Sequence, residues 1–370
     1  MRPGSILFIL LLLLPPLESG ASSFRQEMIR VSLAKNVESI RLAGNGVLAT
    51  DEAGEPIRLA FPLELRRVKG GIAANGRILR GLKVSAPAFV LLNGKGYRGV
   101  VEISPLEKGL QVVNELPLEE YLVGLINCEI SSQWPMEAVK AQAVIARSYA
   151  LFQREARKNA PYHLESTVID QVYDGCDIED SRAVRGVKET AGEVLSFGGS
   201  VIQAFYHSNC GGHTEAAENV WSYSIPYLQG VSCSYCQSAS SYHWEQQVPL
   251  KKVEAQLKAA GYSVPGLRDI RAGSRNRSGR LTDVILVTAR GRVTVPAVSL
   301  RKALGYTVIK STNFDVTIVD SDAFFNGNGY GHGVGLCQWG AKQRAADGFS
   351  YREILAYYYP GTRLETLPAE

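Results

Sequence analysis

The sequence predicts an α+β fold: a β-rich N-terminal part, a helical core completed by strands and a Gly-rich cleft, and a small α/β insert. Three observations carry that expectation. Residues 25–115 are short apolar or alternating runs separated by Gly, Asn, Asp and Pro, the pattern of hairpins. From Leu116 to Phe152 the apolar spacing becomes helical. Further on, helix and strand signals mix, and from Gly327 to Gly335 every odd position is glycine.

Length and charge bound the reading. A chain of 370 residues allows two or three domains, and an apolar share of 45% supplies a sizeable core. A net charge of +4 is too weak to argue for nucleic acid, though it suits a mildly anionic polymer. Met1-Arg2, the apolar run Ile6–Leu14, Pro15-Pro16 and Ser19-Gly20-Ala21 form the pattern of a secretory signal peptide, residues 1–21. No second apolar stretch reaches membrane-spanning length, so a mature protein outside the cytoplasm, in the periplasm or cell envelope, is expected.

The remaining elements follow in order. Residues 22–96 form the β-rich region, with strands expected at Ile29–Leu33, Ile40–Leu42 and Ala88–Leu92. Val100–Ile103 and Leu110–Val113 continue the pattern into the first part of the core, residues 97–247. Pro117 and Pro135 suit the first turns of two successive helices, because a proline there forfeits no intrahelical bond. The second helix is apolar or small on nearly every side between Ala141 and Ala150, so it should be buried. A helix over Ser181–Glu189 precedes a hairpin of Val194–Phe197 and Val201–Tyr206 around Gly198-Gly199. Residues 248–310 read as the α/β insert, with Arg271–Arg280 a solvated basic turn. Residues 311–370 complete the core with the Gly-rich segment and two helices.

Three groups of residues could carry chemistry. Leu118, Leu122 and Leu125 form an apolar stripe on the first helix, and Glu129 extends it. Desolvation at such a place raises a carboxyl pKa, as a general acid requires; a Glu that meets water or pairs with Arg is the alternative. In an extended chain, the glycine alternation would place Asn328, Tyr330, His332 and Val334 on one face and leave the other open to a ligand or another backbone. Cys210, Cys233 and Cys236, with His207, His213 and His243 nearby, permit a closed Cys3His zinc site or, in an oxidising compartment, disulfides. Cys128 or Cys337 with His332 is a further, weaker pairing that suggests a thiol hydrolase.

Several long motifs occur together and in register: Leu116–Leu122, Glu129 before Trp134–Ala150, His207-Ser208 before Gly211–Glu215, Gly331–Gly335 with Gln338–Ala341, and Tyr358–Thr362. In these the chain resembles the stage II sporulation protein D family, which includes amidase enhancers. The resemblance implies a peptidoglycan lytic transglycosylase acting on MurNAc–GlcNAc bonds of denuded glycan strands, with Glu129 as its acid/base and no cofactor for catalysis. It also implies a structural zinc on Cys210, Cys233 and Cys236, with His213 as the preferred fourth ligand and His207 as the alternative. Gln142, Arg147, His207, Tyr330, His332 and Gln338 are the expected glycan-binding residues. A cell-wall amidase is the expected partner if the protein is instead a non-catalytic, glycan-binding enhancer.

Overall fold

The computed structural model describes residues 27–221 and 223–368; the expected signal peptide lies outside them. The N-terminal part is built from two six-stranded sheets. One joins Met28–Val37, Leu48–Asp51, Leu82–Ser85, Val100–Pro105, Leu110–Pro117 and the short Leu164–Glu165. The other joins Ser39–Ala43, Leu63–Val68, Gly71–Ala74, Arg77–Leu79, Val90–Leu92 and Lys95–Tyr97. Strand alternation sends Leu63, Leu65, Val101 and Ile103 into one apolar cluster shared by both sheets, while Glu64 faces solvent. Each such side chain contributes about 1.5–3 kcal/mol by leaving water.

Helix α1 (Leu118–Glu129) and helix α2 (Met136–Ala156) follow. Pro117 and Pro135 stand immediately before the helices, in extended conformation, and set their first residues. Every residue of α2 from Ala141 to Leu151 is buried, between α1, α3 (Ser181–Lys188) and the C-terminal helices α7 (Gln338–Ala346) and α8 (Tyr351–Tyr358). Between these lie the short α4 (Glu218–Trp221) and the insert, where α5 (Leu250–Ala259) and α6 (Ala297–Leu304) pack on the antiparallel strands Asp269–Ala272, Asp283–Thr288 and Gly291–Pro296. A second three-stranded sheet, His243–Pro249, Phe314–Val319 and Asp322–Asn328, adds Trp244, Phe314 and Phe325 to the same apolar cluster.

Two expectations are corrected here. The hairpin strand does not run on to Tyr206: Ser200–Val201 pairs with Glu193–Phe197, whereas Tyr206–His207 leaves that sheet and pairs in parallel with Leu336–Cys337. The glycine alternation is not an extended face either. The strand ends at Asn328, and Gly329, Gly331, Gly333 and Gly335 take φ of +84°, +119°, +90° and +74°. A Cβ at Gly335 would stand 1.9 Å from the Phe205 carbonyl oxygen, and one at Gly331 would stand 2.7 Å from His207 Cβ. At Gly329, Gly331 and Gly335 the missing side chain therefore makes room for the protein's own 205–211 segment.

Candidate functional site

Glu129 is the last residue of α1 and remains partly exposed. Its Oε1 accepts the Val172 backbone N–H at 2.9 Å, and the Tyr206 hydroxyl and Gln338 amide face the carboxyl as weaker donors. No Lys, Arg or His among the described residues forms an ion pair with it. Burial raises its pKa, partly offset by those three hydrogen bonds. The hydroxyl of Tyr206 is itself held by Gln171, whose Nε2 donates to it at 3.2 Å and whose Oε1 accepts from Tyr121 at 3.1 Å. Sequence reading missed Gln171, Val172 and Tyr206, which carry no motif signal of their own.

Gln338 and Gln142 belong to this group. Gln338 opens α7 and donates to Gln142 Oε1 across a long 3.4 Å. Gln142 is 1% exposed, and its Nε2 has no protein partner among the described residues. Arg147 does not join them. It is fully buried, and its Nε and Nη2 each lie 2.7 Å from a Glu119 oxygen, while Nη1 donates to the Glu193 carbonyl. The bidentate pair ties α2 to the start of α1 and to the strand at Glu193, so Arg147 supports the site from behind.

The rings of His207 and His332 stand edge to face, with centres 5.6 Å apart. His207 is buried, with Nδ1 3.1 Å from the Val334 carbonyl and Nε2 without a protein partner among the described residues. Burial, then the proximity of His332 and Arg280, pushes its pKa well down. His332 Nδ1 accepts the Val334 N–H at 3.0 Å, and burial followed by the Arg301 charge lowers its pKa to about 3. Both rings are neutral at physiological pH and act through hydrogen bonds and stacking. A row of aromatic rings continues outward: Phe205 stacks on Trp221 at 4.2 Å, Trp221 lies 5.2 Å from His332, and the exposed Tyr223 stacks beyond Trp221 at 6.4 Å. Tyr330 is fixed through its backbone, which exchanges hydrogen bonds with Asn209.

A second centre lies behind the first. The sulfurs of Cys210, Cys233, Cys236 and Cys337 are all buried and all within 4.8 Å of one another. A tetrahedral metal with bonds of about 2.3 Å would separate its sulfurs by about 3.8 Å, so the set fits such an ion. The 3.4 Å between Cys210 and Cys236 is far beyond a disulfide bond of about 2.05 Å. Backbone N–H groups of Cys210 and Gly340 point at the Cys337 sulfur at 3.2 and 3.4 Å, as suits a thiolate ligand. Cys337, not His213, completes the cluster. His213 stands outside it, with Nδ1 2.6 Å from the Thr214 carbonyl, and His207 is engaged by Val334. The parallel pairing of Tyr206–His207 with Leu336–Cys337 brings the fourth thiol in from 127 residues away, beyond the reach of local spacing. This also removes Cys337 as a nucleophile. Cys128 stands apart, its thiol pushed up to about 11, chiefly by burial.

Comparison with known proteins gives the family. Residues 106–197 match the family described as Stage II sporulation protein, and residues 216–335 match a Domain of unknown function (DUF8618). An uncharacterized protein of Brachyspira hyodysenteriae is 36% identical over 277 residues, which cover 73% of this chain and 72% of that protein. The amidase enhancer of Bacillus subtilis is 31% identical over 66% of this chain, a match that spans only 40% of the enhancer. Stage II sporulation protein D of the same organism is 28% identical over 70% of this chain and 77% of its own length. Glu129, Gln142 and Gln171 all lie in the first matched segment, and the similarity runs through most of the fold: the chain belongs to the stage II sporulation protein D and amidase-enhancer family.

Proposed function

We propose that the protein is a peptidoglycan lytic transglycosylase that cleaves MurNAc–GlcNAc bonds, with Glu129 as sole acid and base. The observation that supports this reading is a buried carboxyl with no cationic partner among the described residues, whose pKa burial raises although the hydrogen bonds it accepts lower it in part. The protonated Glu129 gives its proton to the glycosidic oxygen as the bond to C1 breaks. The resulting carboxylate then takes the proton of the sugar's own C6 hydroxyl, whose oxygen closes on C1 and leaves a 1,6-anhydro ring. No water is consumed, so the second carboxylate of a hydrolase is not needed. Glu119 is bound to Arg147 and Asp170 to Arg157, so neither stands free to act as a second carboxylate. Gln142, Gln338 and Tyr206 would orient the carboxyl, and Trp221, Tyr223 and His332 would give sugar rings an aromatic face.

The same reading assigns a structural zinc to Cys210, Cys233, Cys236 and Cys337, where it would cross-link segments distant in sequence. It places the mature protein in the cell envelope after signal cleavage; among the described residues no helix is long and apolar enough to cross a membrane. A second reading, favoured by the similarity to an amidase enhancer, is a glycan-binding partner of a cell-wall amidase. Mass spectrometry of purified glycan strands treated with wild type and Glu129→Gln separates the two. The first reading expects 1,6-anhydro ends from wild type alone. Anhydro ends from both proteins would refute the role of Glu129. Glycan binding and amidase stimulation by both proteins, with no anhydro ends from either, would favour the second reading.

A further inference from the structure

The turn expected to be solvated, Arg271–Arg280, ends in a side chain that is 1% exposed. It leaves the insert and enters the core. Asn276 Nδ2 and Ser278 Oγ each donate to Glu215 Oε2 at 2.7 Å. Arg280 goes deeper: Nη2 donates to the Cys210 carbonyl at 2.6 Å and Nη1 to the His213 carbonyl at 2.8 Å. One guanidinium thus grips both ends of the segment that carries the first thiol. A Cβ at Gly333 would lie 2.6 Å from its Cζ, so the Gly-rich segment leaves that space for it. Its Nε has no protein partner among the described residues, and no carboxylate among them forms an ion pair with it. Glu215, whose charge it feels, is held instead by Ala216, Asn219, Asn276 and Ser278.

A buried guanidinium is stabilised by nearby negative charge, part of which Glu215 supplies. The thiol cluster would add to that charge when it is loaded. Four thiolates around one divalent ion would carry a net charge of minus two. We propose that Arg280 is the cationic outer partner of the four-cysteine centre, so that metal loading and docking of the insert on the core are one coupled equilibrium. The proposal rests on reading the thiols as a zinc centre and is independent of the glycan reading. Whatever free energy the metal adds to docking, docking returns to the metal.

The test uses the full mature chain. Zinc affinity is measured by competition with a chromophoric chelator at one pH for wild type, Arg280→Met and Arg280→Lys. Amide hydrogen exchange across residues 248–310 is followed in wild type with and without chelator. We expect Arg280→Met to weaken zinc binding about 10- to 100-fold, the range for outer-shell partners. Arg280→Lys, which keeps the charge but loses the two-pronged grip, should fall between. Chelation should speed exchange in the insert. Wild-type affinity in a folded Arg280→Met, or an insert whose exchange ignores the metal, would overturn the proposal. If Arg280→Met is insoluble, Arg280→Lys and the wild-type exchange decide. A wild type that takes up no zinc refutes the metal reading itself, and the coupling with it.

Discussion

The two halves of the molecule are stabilised differently. Between Met28 and Pro117 the polar side chains that are buried are Ser32, Gln111 and Asn114; the rest of that interior is aliphatic or aromatic. Beyond residue 140 the interior holds Gln142, Arg147, Gln171, His207, Asn209, Glu215, Arg280 and Gln338. All six cysteines and all five histidines lie outside the first region. The sheets gain their stability from apolar area, with side chains that tolerate one another non-specifically. The core keeps groups that are costly to desolvate and offsets them by specific hydrogen bonds. Keeping so many polar contacts in one place makes sense where geometry, rather than stability, is the product.

The sharpest way to break this contrast is to remove one proton carrier. Glu129→Gln should lower anhydro-product formation by about 10²- to 10⁴-fold, the usual worth of general acid–base catalysis. Its stability to urea should not fall, since the amide preserves shape and still accepts the Val172 N–H. A matching loss of stability would mean that the carboxyl acts structurally.

Backbone space is the next test. Gly335→Ala must hold φ of +74° and place its Cβ 1.9 Å from the Phe205 oxygen; strain and overpacking together should cost about 2–5 kcal/mol. Gly70→Ala, in a turn of the β region, has φ of +93° and meets nothing within 4 Å, so it should cost only about 1–2 kcal/mol. Equal costs in denaturant titrations would show that the close approach in the core does not matter.

Acid should separate the halves as well. His332 has a folded pKa of about 3, below its ordinary value of 6.5. The unfolded chain therefore takes up the proton first, and stability present above pH 6.5 is lost as pH falls towards 3. The slope approaches about 1.4 kcal/mol per pH unit for one such histidine. Glu129, raised by burial, acts in the opposite sense: stability falls as pH rises above its ordinary value of 4.5. Comparing wild type with His332→Asn between pH 7 and 4 isolates the first effect. Identical slopes would mean that the ring is already solvated.

The same division decides what the sequence revealed. Alternation and helical period exposed the sheets, α1, α2 and several helices and strands within residues 248–310, because those elements bury one kind of side chain at a regular interval. Glu129 stood out as a carboxylate on an apolar stripe. The errors all lie where segments distant in sequence meet. Cys337 joins Cys210 through a two-residue parallel bridge that no local pattern announces. Arg280 is buried by a carbonyl cage from another part of the chain, although its neighbours Arg271 and Arg277 read correctly as surface charge. Arg147 was misplaced because a buried arginine looks alike in sequence whether it faces a ligand or a glutamate such as Glu119.

The smallest expected effect concerns Gln142. Its Nε2 is buried without a protein partner, and its oxygen receives only the long bond from Gln338. Desolvating an amide for so little return costs about 1–3 kcal/mol. Methionine has a similar shape and carries no such cost. Gln142→Met should therefore raise stability by about 1 kcal/mol, the reverse of what a polar-to-apolar change does to a satisfied core residue. It should also release Gln338, one of the donors to Glu129, and so lower the rate of anhydro-product formation. Gaining stability while losing rate would mark Gln142 as a residue retained for the site at the expense of the fold. A loss of stability would instead place its amide among the structural hydrogen bonds, beside Arg147.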